Sequence, residues 1–187
     1  EIAADKSKRI IASQKNDGKI ERWLNAGKIS RLDDLAKNEG IVPREVDGMD
    51  GLVPDTEDEW ARVIEHHGID LGTRADEDRY IEAARGVLAL SCAYSTQMID
   101  FSDMLYMPAL AHGVAFPTYP WVFVDELQDV SALQRVMVQR MAACGKGGPG
   151  RFVGVGDSHQ AIYGFRGAGV DSMDLVPPDE HAVMPVV

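Results

Sequence analysis

The chain has 187 residues, 45% of them hydrophobic, and a formal net charge of −11. That suits one globular domain, or one plus part of a second, and argues against a protein that coats nucleic acid through bulk positive charge. No apolar run is long enough to cross a bilayer and no signal peptide opens the chain, so a membrane location is not expected.

The first hundred residues read as helical pieces joined by polar turns. Residues 19–26 and 29–37 are short helix candidates separated by Gly27. Residues 41–54 contain Pro43, Gly48, Gly51 and Pro54 and read as a loop. Thr56 followed by Glu59 is a capping-box signature, and Gly68 supplies a stop. A helix is therefore expected over 57–67, with Trp60, Val63 and Ile64 on its buried face. Ile81, Ala84, Val87, Leu88 and Ser91 recur at helical spacing and predict a longer helix over 76–93.

The character changes near Ile99. Residues 99–105 begin a helix that ends by Gly113, capped by Asp100 or Ser102. Beyond Pro117 and Pro120, residues 121–124 are continuously apolar, the pattern of a strand buried on both faces in a parallel sheet. Residues 131–143 fit a helix with Leu133, Val136, Met137 and Met141 apolar; residues 145–150 break it; residues 151–155 give a second strand. Strand, helix and strand at these lengths form a βαβ unit with an expected right-handed crossover. Both strands then end at one carboxyl edge, where open α/β sheets bind ligands.

Each strand stops on acid. Asp125 and Glu126 follow the first, and Asp157 follows the second. Phosphoryl transfer from a nucleotide needs a Mg²⁺ on the phosphates and an oriented water. One aspartate suffices to hold the ion, since Mg²⁺ keeps several waters, and the next carboxylate can act as base. The pair alone also fits a solvated turn. Beyond the second strand, Gln160 offers an amide to a γ-phosphate, Tyr163 and Phe165 alternate with glycines that leave rings free for base stacking, and Arg166 offers a phosphate or base contact. Taken singly these residues read as core aromatics and a surface charge.

Charge is unevenly spread. Residues 28–104 hold eight basic and eighteen acidic residues, whereas residues 130–170 hold Arg135, Arg140, Lys146, Arg151 and Arg166 against Asp157 alone. Any nucleic-acid contact is expected in the latter stretch. Cys92 and Cys144 lie far apart without metal-ligand spacing, as expected of thiols in a reducing cytoplasm. His66 and His67 are adjacent, and neighbouring helical positions do not face one another, so no metal pair is expected there.

The run Val-Asp-Glu-Leu-Gln-Asp at 124–129, followed by Val-Gly-Asp-Ser-His-Gln-Ala-Ile-Tyr-Gly-Phe-Arg-Gly-Ala at 155–168, resembles motifs II and III of the UvrD/Rep-like superfamily 1 helicases. Asp-Phe-Ser-Asp-Met-Leu at 100–105 resembles the segment ahead of motif II in that family. The resemblance spans about residues 99–175. It implies an α/β fold, part of a RecA-like P-loop NTPase parallel sheet, in a motor that uses ATP and Mg²⁺ to move along single-stranded DNA, typically 3′ to 5′, in the cytoplasm. By motif position, Asp125 would coordinate Mg²⁺, Glu126 would activate water, Asp157 would belong to the nucleotide site and Gln160 would contact the γ-phosphate. Tyr163, Phe165 and Arg166 would meet DNA. Family members often carry an aromatic where this chain has Leu127 and tryptophan where it has Phe165; neither change removes a needed group. His159 stands at a variable place and takes no role. Residues 1–98 would form a mostly helical inserted region and residues 99–187 a partial ATPase core.

The family also needs a Gly-x-x-x-x-Gly-Lys-Ser/Thr loop. The pairs Gly18-Lys19, Gly27-Lys28 and Gly145-Lys146 are never followed by Ser or Thr. With Glu1 in place of an initiator methionine and no closing element before Val187, the expectation is an internal piece of a longer helicase, inactive alone. Its phosphate loop and second motor domain would lie elsewhere in the polypeptide. The alternative is a degenerate motor domain that binds DNA or protein without turnover. A third alternative is a nuclease domain fused elsewhere in the polypeptide.

Overall fold

The computed structural model describes residues 2–142 and 150–157. Helix α1 (Lys6–Asn16) buries Ile10 and Ile11 and ends where Gly18 takes a left-handed backbone, φ 72°. The chain then turns rather than forming the helix expected over 19–26. Ile20 and Leu24 anchor that turn in the core, and the Lys15 ammonium donates to the carbonyls of Arg22 and Leu24. The next helix starts later because Asn25 captures its first amides, accepting from Gly27 N at 2.9 Å and Lys28 N at 3.1 Å. Gly27 therefore lies inside α2 (Ala26–Glu39) instead of separating two helices.

Helix α2 stops at Gly40, whose φ of 79° suits glycine and whose missing Cβ leaves room for Leu52. The proline- and glycine-rich stretch that follows is a loop, folded back by a bridge between Ile41 and Val53. Thr56 caps α3 (Glu57–His66) through Glu59 N, with Trp60, Val63 and Ile64 buried as its spacing predicts. Helix α4 (Arg74–Ala93) starts two residues earlier than its apolar period suggests, because Thr73 and Asp76 form a reciprocal capping box.

Helix α5 (Asp103–Leu110) is capped by Asp100, not Ser102. Asp100 Oδ1 accepts from Asp103 N at 2.8 Å and Asp103 Oδ2 accepts from Asp100 N at 3.0 Å, while the Ser102 hydroxyl turns to Asp34. Strand β1 (Trp121–Val124) and strand β2 (Arg151–Gly154) pair in parallel, with Val124 opposite Gly154, and α6 (Ala132–Ala142) lies between them in sequence. This is the expected βαβ unit.

Helix α2 is the hub, packing against α1, α3, α4, α5 and α6. Its Ile29, Leu32 and Ala36 are fully buried, and the same core includes Tyr106, Ala109 and Leu110 of α5 and Leu133 of α6. The expectation that β1 is buried on both faces is not met. Val122 and Val124 are half-buried, but Trp121 and Phe123 are 47% and 72% exposed. On that outward face the Trp121 and Phe123 rings stack on one another, and the Arg151 guanidinium lies 4.9 Å from the Trp121 ring centre. No helix among the described residues is long and apolar enough to cross a membrane.

Candidate active site

The parallel register carries both acidic strand ends to one edge. Past β2 the ladder continues: Val155 N donates to Val124 O and Val155 O accepts from Leu127 N, each at 2.9 Å. These bonds hang the chain after β1 on the chain after β2. A single 3-10 turn (Leu127–Asp129) follows, closed by Asp129 N to Glu126 O at 2.9 Å. Leu127 is buried beneath it, 2.5 Å from where a Cβ on Gly154 would stand, so a larger residue at 154 would collide with the turn.

Asp125 and Glu126 are both exposed at this edge. Asp125 Oδ1 accepts from Glu126 N at 3.0 Å. Glu126 has φ 52° and ψ 46°, the only non-glycine with positive φ among the described residues. That region costs an L-residue free energy, and such outliers gather where the surrounding structure enforces them. Beside it, Gln128 is 2% exposed and uses both ends of its amide. Nε2 donates to Glu126 Oε2 at 2.7 Å, and Oε1 accepts from Asp157 N at 2.9 Å. The residue pattern did not single out Gln128; its place two residues after Glu126, within one tight turn, was the available signal. Ser131 and Gln134 likewise form an unforeseen capping box ahead of α6, Ser131 N to Gln134 Oε1 at 2.8 Å and Gln134 N to Ser131 Oγ at 3.3 Å.

The structure thus brings Asp125, Glu126 and Asp157 to one sheet edge. Gln160, Tyr163, Phe165 and Arg166 lie outside the described residues, as do His159, Lys146 and Cys144. The exposed hard oxygen donors of Asp125 and Glu126 fit a Mg²⁺ that keeps most of its waters. The described arginines near the second motif are engaged by the protein itself. Arg135 Nη1 reaches Val130 O at 3.5 Å, and Arg140 Nη1 donates to Pro108 O at 3.1 Å beside the Phe116 ring. Burial pushes the Arg135 guanidinium below its usual range.

Two other features lie away from this edge. A cavity of about 460 Å³ between α1, α2 and the turn at Asp100–Ser102 is lined by Ser7, Arg31, Asp34 and His67 among others. Beside it, Asp33, Asp34 and Asp100 bring oxygens within 4.8 Å of one another. That negative charge is met from within, since Lys37 ion-pairs with Asp33 and Asp100 and Ser102 donates to Asp34. His67 faces Glu39 at 3.7 Å, and burial, then His66, lowers its pKa. Cys92 is buried, which pushes its thiol up to about 11.

Residues 90–180 match the family model of the UvrD/REP helicase N-terminal domain. A probable DNA helicase of Mycoplasma pneumoniae is 41% identical over 96 residues, covering 48% of this chain and 17% of that protein. An ATP-dependent helicase/nuclease component of Lactobacillus delbrueckii subsp. bulgaricus is 33% identical over 96 residues, covering 46% of this chain and 8% of that protein. The chain therefore spans less than a fifth of either relative's length. The match takes in the end of α4, α5, both strands and the Asp125–Asp129 turn, so this part of the chain is similar to the UvrD/REP helicase N-terminal domain.

Proposed function

We propose that this chain is a segment of an ATP-dependent DNA helicase or translocase, and that the edge bearing Asp125, Glu126 and Asp157 is the hydrolytic half of its nucleotide site. The observation that carries this reading is the joining of two acidic strand ends by Gln128, in the region that matches the family. The parallel βαβ unit is taken as part of a RecA-like P-loop core over residues 99–187, with residues 1–98 a mostly helical inserted region. The same polypeptide supplies a phosphate-binding loop and a second motor domain.

A Mg²⁺ held by Asp125 supplies charge neutralisation to the phosphates of ATP. Glu126 accepts the proton of the water that attacks the γ-phosphorus as the bond to the ADP oxygen breaks. Asp157 borders the nucleotide and Gln160 contacts its γ-phosphate. Tyr163 and Phe165 stack on bases of single-stranded DNA and Arg166 contacts the same strand. Movement is 3′ to 5′, and the motor acts in the cytoplasm.

ATPase activity of the full-length polypeptide, measured with and without single-stranded DNA, tests this. Stimulated turnover that Glu126→Gln abolishes is the expected result. Absence of turnover with DNA binding intact would overturn it in favour of a non-catalytic binding module.

A further inference from the structure

We propose that Gln128 is a positioning residue for the water-activating carboxylate, a splint that fixes Glu126 relative to the end of the second strand. This rests on the hydrolytic reading of the edge given above.

The geometry is chemically unambiguous. A carboxylate only accepts and a backbone N–H only donates, so the amide of Gln128 must present Nε2 to Glu126 and Oε1 to Asp157 N. Rotating it by half a turn would break both bonds. The amide is buried, so water competes poorly for either end. Glu126 itself is exposed and has three side-chain torsions, and the Gln128 amide holds its carboxylate by Oε2. Its backbone is fixed separately, in the left-handed conformation and by the Val155 bonds to Val124 and Leu127. One small amide therefore sets where the carboxylate points, and refers that direction to Asp157. A general base must lie within hydrogen-bond reach of the proton it removes, so a freely turning Glu126 would lose rate without losing nucleotide affinity.

The test is steady-state ATPase kinetics of the full-length polypeptide, saturated with single-stranded DNA. Gln128→Glu keeps the acceptor facing Asp157 N but sets a second carboxylate against Glu126 where the amide donor stood. The expected result is a kcat lowered about tenfold with KM for ATP within about twofold of wild type. Gln128→Leu fills the same buried space without either bond, and is expected to lower kcat by a similar factor with KM preserved. A residue that merely clasps two strand ends would lower thermal stability in both variants and leave kcat of the folded enzyme unchanged. A kcat of Gln128→Glu or of Gln128→Leu equal to wild type overturns the inference while wild-type turnover leaves the hydrolytic reading standing. Absence of turnover in the wild type overturns both.

Discussion

Lys37 Nζ on α2 lies 2.9 Å from Asp103 Oδ1 at the start of α5, both side chains essentially without solvent exposure. The same ammonium reaches Asp100 at 2.8 Å and Asp33 at 3.4 Å, and Asp103 is held from its other side by Lys6 of α1. Burial alone would push the Asp103 carboxyl up; the two lysines and the Asp100 amide outweigh it and hold it below its usual range. For Lys37 burial works against the charge, yet the three carboxylates together raise its pKa. The two aspartates of the Asp-Phe-Ser-Asp-Met-Leu segment thus tie the approach to β1 into the helical core.

Removing the shared cation should be costly. Lys37→Met keeps the stem's apolar volume but leaves Asp33, Asp100 and Asp103 buried around no positive charge of α2. Breaking a buried ion network in this way costs about 3–5 kcal/mol. Urea denaturation at pH 7 should show a loss of unfolding free energy of that size, with part of it recovered in Lys37→Met/Asp100→Asn. A loss under about 1 kcal/mol would mean the network is hydrated and not a latch.

Asp33 predicts a pH dependence. Its carboxyl is raised from 3.8 to about 6, chiefly by burial, against the smaller opposing pull of Lys37 and the Ser7 hydroxyl; Asp34 and Asp100 add to the rise. Between about pH 4 and 6 the folded state holds a proton that the unfolded chain has released, so this group's contribution to stability falls as pH rises through that window. Asp34, also raised, has the same sign but is present in both proteins compared. Asp103 and Asp55, lowered, lose their contributions only as pH falls below the window. Asp33→Asn removes the Asp33 slope. Its stability relative to wild type should improve by about 2–3 kcal/mol from pH 4 to 7, whatever its absolute effect. A difference that stays flat across that range would show that Asp33 titrates normally.

Which parts of this were legible in the sequence follows from what each signal depends on. Trp60, Val63 and Ile64 were readable because one amphipathic helix against one core makes a local pattern sufficient. The two strands were readable from β-branched and aromatic runs ended by acid, and so was their common edge. The exposure of Trp121 and Phe123 was not, because a continuous apolar run carries no record of how many faces are covered. Asp100 and Asp103 looked like a helix start and proved also to be long-range ion partners, since nothing local to residues 100–103 encodes Lys6 or Lys37. Gln128 escaped for a similar reason: its second partner is a backbone amide 29 residues away.

Gly154 should be intolerant of a side chain. An added Cβ would meet Leu127 Cδ2 at 2.5 Å and the Phe152 ring at 3.2 Å. Leu127 is buried and begins the turn that carries Gln128, so it has little room to retreat. Gly154→Val is expected to cost about 1–3 kcal/mol, and Gly154→Ala less, as overpacking does. Both should lower kcat of the full-length polypeptide beyond what the folded fraction explains. Thermal melts of Gly154→Val indistinguishable from wild type would show that Leu127 moves freely.

The left-handed backbone of Glu126 gives a test whose sign decides it. Glu126→Ala and Glu126→Gly both delete the carboxylate and its bond to Gln128, so they differ only in what the backbone demands of the residue. At an ordinary position glycine is the less stable of the two by about 0.5–1 kcal/mol, through the freedom it gains on unfolding. At φ 52° alanine retains a steric penalty of about 1–2 kcal/mol that glycine escapes. The order should therefore reverse, with Glu126→Gly the more stable by up to about 1 kcal/mol, read as the difference in urea midpoints. Both variants should be equally without ATPase turnover, so the comparison isolates the backbone from the chemistry. If Glu126→Ala proves the more stable, the residue relaxes out of the left-handed region once its carboxylate is gone. The bond to Gln128 would then be what holds the turn in shape.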